Sequence, residues 1–177
     1  MIMAPRLRKF ALAAHLTFSV GWIGAVAGYM ALDVAAATSQ DAQTLRACYL
    51  AMELIAWYVI VPLALASLLT GLVMSLGTKW GLYRHYWVLI SLMLTIIATV
   101  VLLVETQTIS YFATIAADPT TSSDDLRALG STIVHSVGGT VVLLVILFLN
   151  VYKPRGMTRY GRRKQREDSS RPKTASR

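Results

Sequence analysis

Cysteine is nearly missing from this chain. Cys48 stands alone, so no disulfide can form within it, and it reads as a small apolar residue near the outer end of the second helix. Acidic residues are also few, nine against seventeen basic ones. Long parts of the sequence carry no charge: residues 10–32, 54–78, 86–104 and 128–152 contain no Asp, Glu, Lys or Arg. Phosphate-loop, dinucleotide and hydrolase fingerprints are absent too. The glycines at 21, 24 and 28 follow no strand and so cannot form a phosphate cradle. With 177 residues and four uncharged stretches, little length remains for a soluble catalytic domain, and the expectation is a non-enzymatic protein.

What is present is apolar length. The composition is 55% hydrophobic and the mean hydropathy is +0.55. A helix needs roughly 20 mostly apolar residues to cross a bilayer. Inside hydrocarbon, backbone polar groups must be paired within the segment, so such spans are helices. The expected fold is all-α: a four-helix transmembrane bundle of up-down topology occupying residues 1–152. Its helices are placed at about 10–32, 49–76, 86–115 and 128–152, with a basic, unstructured tail over 153–177. Residues 1–37 resemble a signal peptide, but the apolar run exceeds the roughly 7–15 residues of a signal core and is expected to stay as the first span.

Lys and Arg are unevenly distributed. Fifteen fall in the N-terminus, the second connection and the tail; only Arg46 and Arg127 fall in the other two connections. The positive-inside rule therefore puts both termini and the second connection in the cytoplasm of a multi-pass membrane protein. The tail after Tyr152 holds ten basic and two acidic residues, which accounts for the whole net charge of +8. It fits anionic lipid headgroups better than nucleic acid, which is not expected as a partner. Thr38 with Asp41, and Ser122 with Asp125, have capping-box spacing, so helices two and four are expected to start outside the bilayer and continue as unbroken rods.

Helical periodicity gives each span a polar stripe. The stripes are His15, Ser19, Trp22, Val26, Tyr29 and Asp33 on the first helix, and Glu53, Trp57, Ile60, Ala64 and Ser67 on the second. The third has Ser91, Thr95, Ala98, Leu102 and Glu105; the fourth has Ser131, His135, Gly138, Gly139 and Val142. Polar residues in membranes face the bundle interior, so the stripes should meet. Glu53, Glu105 and His135 lie at similar depth near the outer side and form a candidate site for a divalent metal, with Asp33 at its rim. His15 forms an inner layer with Lys79, Arg84 and His85 at its rim. His15 and His135 are the candidate haem ligands, with Gly138 and Gly139 making room for a porphyrin. Gly24 and Gly28 form a GxxxG pair expected to pack within the bundle, a second protomer or membrane-complex partner being the alternative. Pro62 is expected to kink the second helix.

The run HLTFSVGWIG from His15 to Gly24 resembles the opening of the copper-resistance D-like (CopD-like) bacterial membrane proteins. Thr70-Gly71-Leu72, the KWGL run over 79–82, and Trp87-Val88 continue the likeness, which covers about residues 10–115 and is nearest to an actinobacterial four-span group. The resemblance implies a membrane bundle that can carry a metal ion or cofactor. The wider superfamily is similar to membrane protoporphyrinogen oxidases that bind haem b through a first-helix histidine. That likeness implies His15 as a ligand and haem-dependent oxidoreduction as an alternative function. A third possibility is an accessory subunit. The wider group tends to carry a lysine where this chain has Ile90 and Ser91, and there is no Met- or His-rich outer loop.

Overall fold

The computed structural model describes residues 3–77 and 81–170, with side chains to residue 167. Lys79 and Trp80, and the tail after Ser170, lie outside the described residues. The chain is helical almost throughout: α1 (Pro5–Thr38), α2 (Ala42–Ile55), a π-helical turn (Ala56–Ile60), α3 (Val61–Gly77), α4 (Tyr86–Ala117), α5 (Ser123–Ala128), α6 (Ile133–Tyr152) and α7 (Arg159–Ser170). Four helical segments are long and apolar enough to cross a membrane: α1, α2 through α3, α4, and α5 with α6. Only 17–28% of each apolar window is buried within the chain, so most of that surface faces outward, as a lipid-embedded bundle requires. The protein is a multi-pass membrane protein.

The four spans form a ring. α1 packs on α2/α3 and on α6, and α4 packs on the same two. One end of the ring holds the α1–α2 and α4–α6 connections and is called the loop end below. The other holds the start of α1, the stretch leading into α7 and the α3–α4 connection, and is called the basic end. Two apolar clusters fill the interior. One, around Leu45, Tyr49, Met52, Ile109 and Leu126, lies toward the loop end. The other, around Trp22, Val26, Ile60, Ala64 and Leu143, sits deeper.

The second span bears out a disturbance at Pro62 but changes its form. Pro62 has no N–H, so the carbonyl of Tyr58 lacks its α-helical donor. The chain widens just before the proline, with Val61 N–H donating to the Ala56 carbonyl. One extra residue enters the turn, and the buried stripe runs Met52, Ala56, Ile60, Ala64, Ser67. Extrapolated at α-helical spacing, the stripe would have reached Trp57 and Glu53. Both are rotated off it: Trp57 is 43% exposed and Glu53 only half-buried.

Three further expectations are corrected. Gly24 and Gly28 point outward, and a Cβ at either would meet nothing within 4 Å, whereas Gly21 alone of the three lies against Leu63. The fourth span is not one rod: α5 stops at Ala128 and the chain bends through Gly130, whose φ of +85° favours glycine, before α6 begins. The Ser122–Asp125 cap is present, but at the other connection Asp41 is the cap and Thr38 closes α1.

The tail, expected to be unstructured, contains α7. Thr158 caps it, accepting from Gly161 N–H at 3.0 Å, and the stretch before it docks on the α3–α4 connection. Thr158 N–H donates to the Arg84 carbonyl and Tyr86 N–H to the Gly156 carbonyl, with an antiparallel bridge between His85 and Met157. Gly161 is required at this contact, because a Cβ there would stand 2.3 Å from the Arg84 carbonyl oxygen.

Candidate functional site

A cleft of about 260 Å³ opens between α4 and α6 and reaches residues of all four spans. Trp22 and Val26 of α1, Ile60 of the π turn and Leu143 of α6 form its floor. Its mouth carries Ile97, Val101 and Val134, which are 52%, 46% and 80% exposed, so it faces sideways toward lipid. Gly138 and Gly139 line one wall, and a Cβ at either would meet nothing within 4 Å. Near its loop end the cleft turns polar, with Tyr29, Glu105, Thr106, Thr132, His135 and Ser136.

Glu105 and His135 meet there, Nε2 to Oε1 at 3.4 Å. Glu105 is mostly covered at 22% side-chain exposure, while His135 is 55% exposed at the mouth. Helical phase alone put them on facing stripes, and the packing of α4 on α6 brings them together. Glu53 does not join them. It lies outside the cleft lining, as does Trp57, whose indole N–H donates to Ser110 Oγ at 3.0 Å. Among the described residues no three His, Cys, Asp or Glu side chains are grouped to hold a metal ion. The π turn is the cause, since it carries Glu53 one position past the buried stripe.

Behind the cleft stands Asp33, a residue expected at a wet rim. It is 1% exposed. Its carboxylate accepts from Ser131 Oγ at 3.1 Å, Thr132 N–H at 3.2 Å, Thr132 Oγ1 at 2.8 Å and Ser136 Oγ at 3.1 Å. Four donors make the burial of this charge tolerable. They come from the start of α6, where free N–H groups and the helix dipole favour an anion, so Asp33 caps α6 from a different helix. Tyr29 OH sits 3.1 Å from Thr132 Oγ1, extending the network toward the cleft. The signal for this pairing was Asp33 on the Trp22 stripe together with the Ser131-Thr132 pair and Ser136. Nothing in the sequence says which helix they face.

His15 occupies a separate site nearer the basic end and does not line the cleft. Its Nδ1 is 3.1 Å from Thr70 Oγ1, which gives its own proton to the Ala66 carbonyl at 2.7 Å. His15 therefore donates through Nδ1, and its Nε2 keeps a lone pair. Gly71 makes room for the ring, since a Cβ there would come within 3.1 Å of Cε1. Ser19 and Ser67 hydroxyls, 2.8 Å apart, tie the same two helices. His85 lies at the α3–α4 connection, 6.5 Å ring to ring from Trp87.

No protein-family model matches the chain, no curated protein does, and no solved structure is similar to it.

Proposed function

We propose that this is a bacterial plasma-membrane protein of the copper-resistance D-like type, with both termini cytoplasmic, that holds a small, mostly apolar molecule or cofactor between α4 and α6. The carrying observation is the cleft: about 260 Å³ of space touching all four spans, with open room at Gly138 and Gly139. Protein interiors are close-packed, and a largely apolar cleft with a few convergent polar groups is the usual form of a ligand site. In this reading the protein works by binding rather than by turnover. The exposed cations of α7, among them Arg159, Arg162, Arg163 and Arg166, add contact with anionic headgroups that salt weakens. The test is native mass spectrometry of the protein taken from membranes in its own lipids. The wild type is expected to retain a bound molecule that Gly138→Phe loses without a change in melting temperature. Wild type free of any retained molecule makes an accessory-subunit role the better reading.

His15 supports a second reading, a haem-b-binding oxidoreductase. The His15 imidazole, held at Nδ1 by Thr70, would be the residue to hold a haem iron through Nε2. A Soret band in the visible spectrum, removed by His15→Ala, supports this reading. Bound metal without a Soret band points to an ion site instead.

A further inference from the structure

We infer that the cleft between α4 and α6 selects a ligand with an apolar body and a cationic amine head. This rests on the reading of the cleft as a ligand site and goes on to name the head group. Thr132 Oγ1 gives its proton to Asp33, so Tyr29 OH, 3.1 Å from it, is the donor of that pair. Ser136 Oγ gives its proton to Asp33 or to the Ile133 carbonyl, both at 3.1 Å. Thr106 Oγ1 gives its proton to the Leu103 carbonyl at 2.8 Å. Every hydroxyl at the polar end of the cleft has thus committed its hydrogen elsewhere in the fold. What these groups still offer is lone pairs.

Charge points the same way. Glu105 has His135 as its partner through Oε1, and its Oε2 is left to accept from a ligand. Asp33 stands immediately behind Thr132 and Ser136. No Lys or Arg lines the cleft. A carboxylate or phosphate head would meet acceptors and two carboxylates with nothing but His135 to donate to it. An ammonium brings donors and a positive charge to a site that has only acceptors to spend, and charge-assisted hydrogen bonds are the strong ones. The Trp22 and Tyr29 rings in the lining suit a cation as well.

The experiment uses three probes with one apolar body: naphthylethylamine, naphthylethanol and naphthylacetate. Each is titrated calorimetrically into the full-length protein in nanodiscs of zwitterionic lipid, with empty nanodiscs as the blank. The amine is expected to bind at least about tenfold tighter than the alcohol, the size of one charge-assisted hydrogen bond, and the acid weakest of all. Glu105→Gln is expected to bring the amine down to about the affinity of the alcohol. Gly138→Leu is expected to weaken all three. If the three bind the wild type equally, or the acid binds best, the cleft stands as a ligand site and the cationic head is overturned. An amine preference that survives Glu105→Gln also overturns it. If none of the three binds the wild type, the cleft reading itself falls. The ranking in the wild type decides the matter even where a variant fails to fold.

Discussion

The two ends of the bundle are held by opposite means. At the loop end, charged side chains finish helices other than their own. Asp33 of α1 caps the start of α6, and Arg46 of α2 caps the end of α4, donating to the carbonyls of Ala116 at 2.8 Å, Asp118 and Thr121. Arg127 donates to the Gln40 carbonyl and joins the two connections. Among the described residues, the two arginines at that end are therefore both built into the fold. At the basic end, backbone does most of the joining, helped by the uncharged Thr158 hydroxyl, which donates to the Tyr83 carbonyl. Met3 N–H donates to the Gly77 carbonyl at 3.0 Å, and Thr158, Gly156 and Gly161 dock α7 on Arg84 and Tyr86. Many cations there, including Arg6, Arg8, Lys9 and Arg155, are exposed. Those four side chains are thus open to the membrane surface.

That contrast can be broken most sharply at Asp33. Asp33→Ala leaves the Ser131 hydroxyl and the Thr132 N–H and hydroxyl without their acceptor and the first turn of α6 without its anion. We expect a loss on the order of 3–5 kcal/mol, read as a large drop in melting temperature in lipid nanodiscs. A drop no greater than that of an exposed substitution would mean that the loop end is not held by its charges. Arg46→Ala comes next. It uncouples α2 from the end of α4 and is expected to cost about 2 kcal/mol, while Arg155→Ala at the basic end costs nearly nothing. Similar losses for the two arginines would erase the distinction.

Gly161→Ala probes the other side of the comparison. Its Cβ has no room beside the Arg84 carbonyl, so α7 should undock at a local cost of about 1–3 kcal/mol while the four spans keep their melting temperature. Trypsin should then cut within Arg159–Ser170 far faster than in wild type. Unchanged cleavage would show that the docked backbone is not what holds the tail.

The smallest expected effect is that of pH on the loop end. The Thr44 hydroxyl, and then its backbone N–H, hold the Asp41 carboxyl below the usual carboxylate range; Thr120 does the same for Asp118. A carboxyl whose folded value is depressed stabilises the fold above its unfolded value and loses that contribution as pH falls through the folded one. The melting temperature should therefore fall slightly as acid passes below the ordinary carboxylate range. In Asp41→Ala that step should shrink, which a melting series against pH will read directly.

The legible and illegible parts of the site divide along single residues. Glu105 and His135 were readable as facing partners, because an unbroken α-helix carries its phase along its length and their stripes extend from apolar runs of clear period. Glu53 was not, because one proline-associated π turn moved the phase by a residue. Asp33 was visible as a polar member of the Trp22 stripe, but its burial depended on Ser131, Thr132 and Ser136 arriving from about a hundred residues later. Gly161 carries no signal in the sequence, and only the Arg84 carbonyl packed against it gives it a role.

The sequence by itself determined that four helices are long and apolar enough to cross a membrane, and that Lys and Arg gather in the connections of one end. Both follow from the cost of exposing backbone and charge to hydrocarbon, which acts on each segment separately. Tertiary structure alone decided which polar groups meet: the Asp33 cap, the Glu105–His135 pair, the exclusion of Glu53 and the docking of α7. These depend on helix phase and on contacts between distant segments. A one-residue change in a single turn is enough to reassign them.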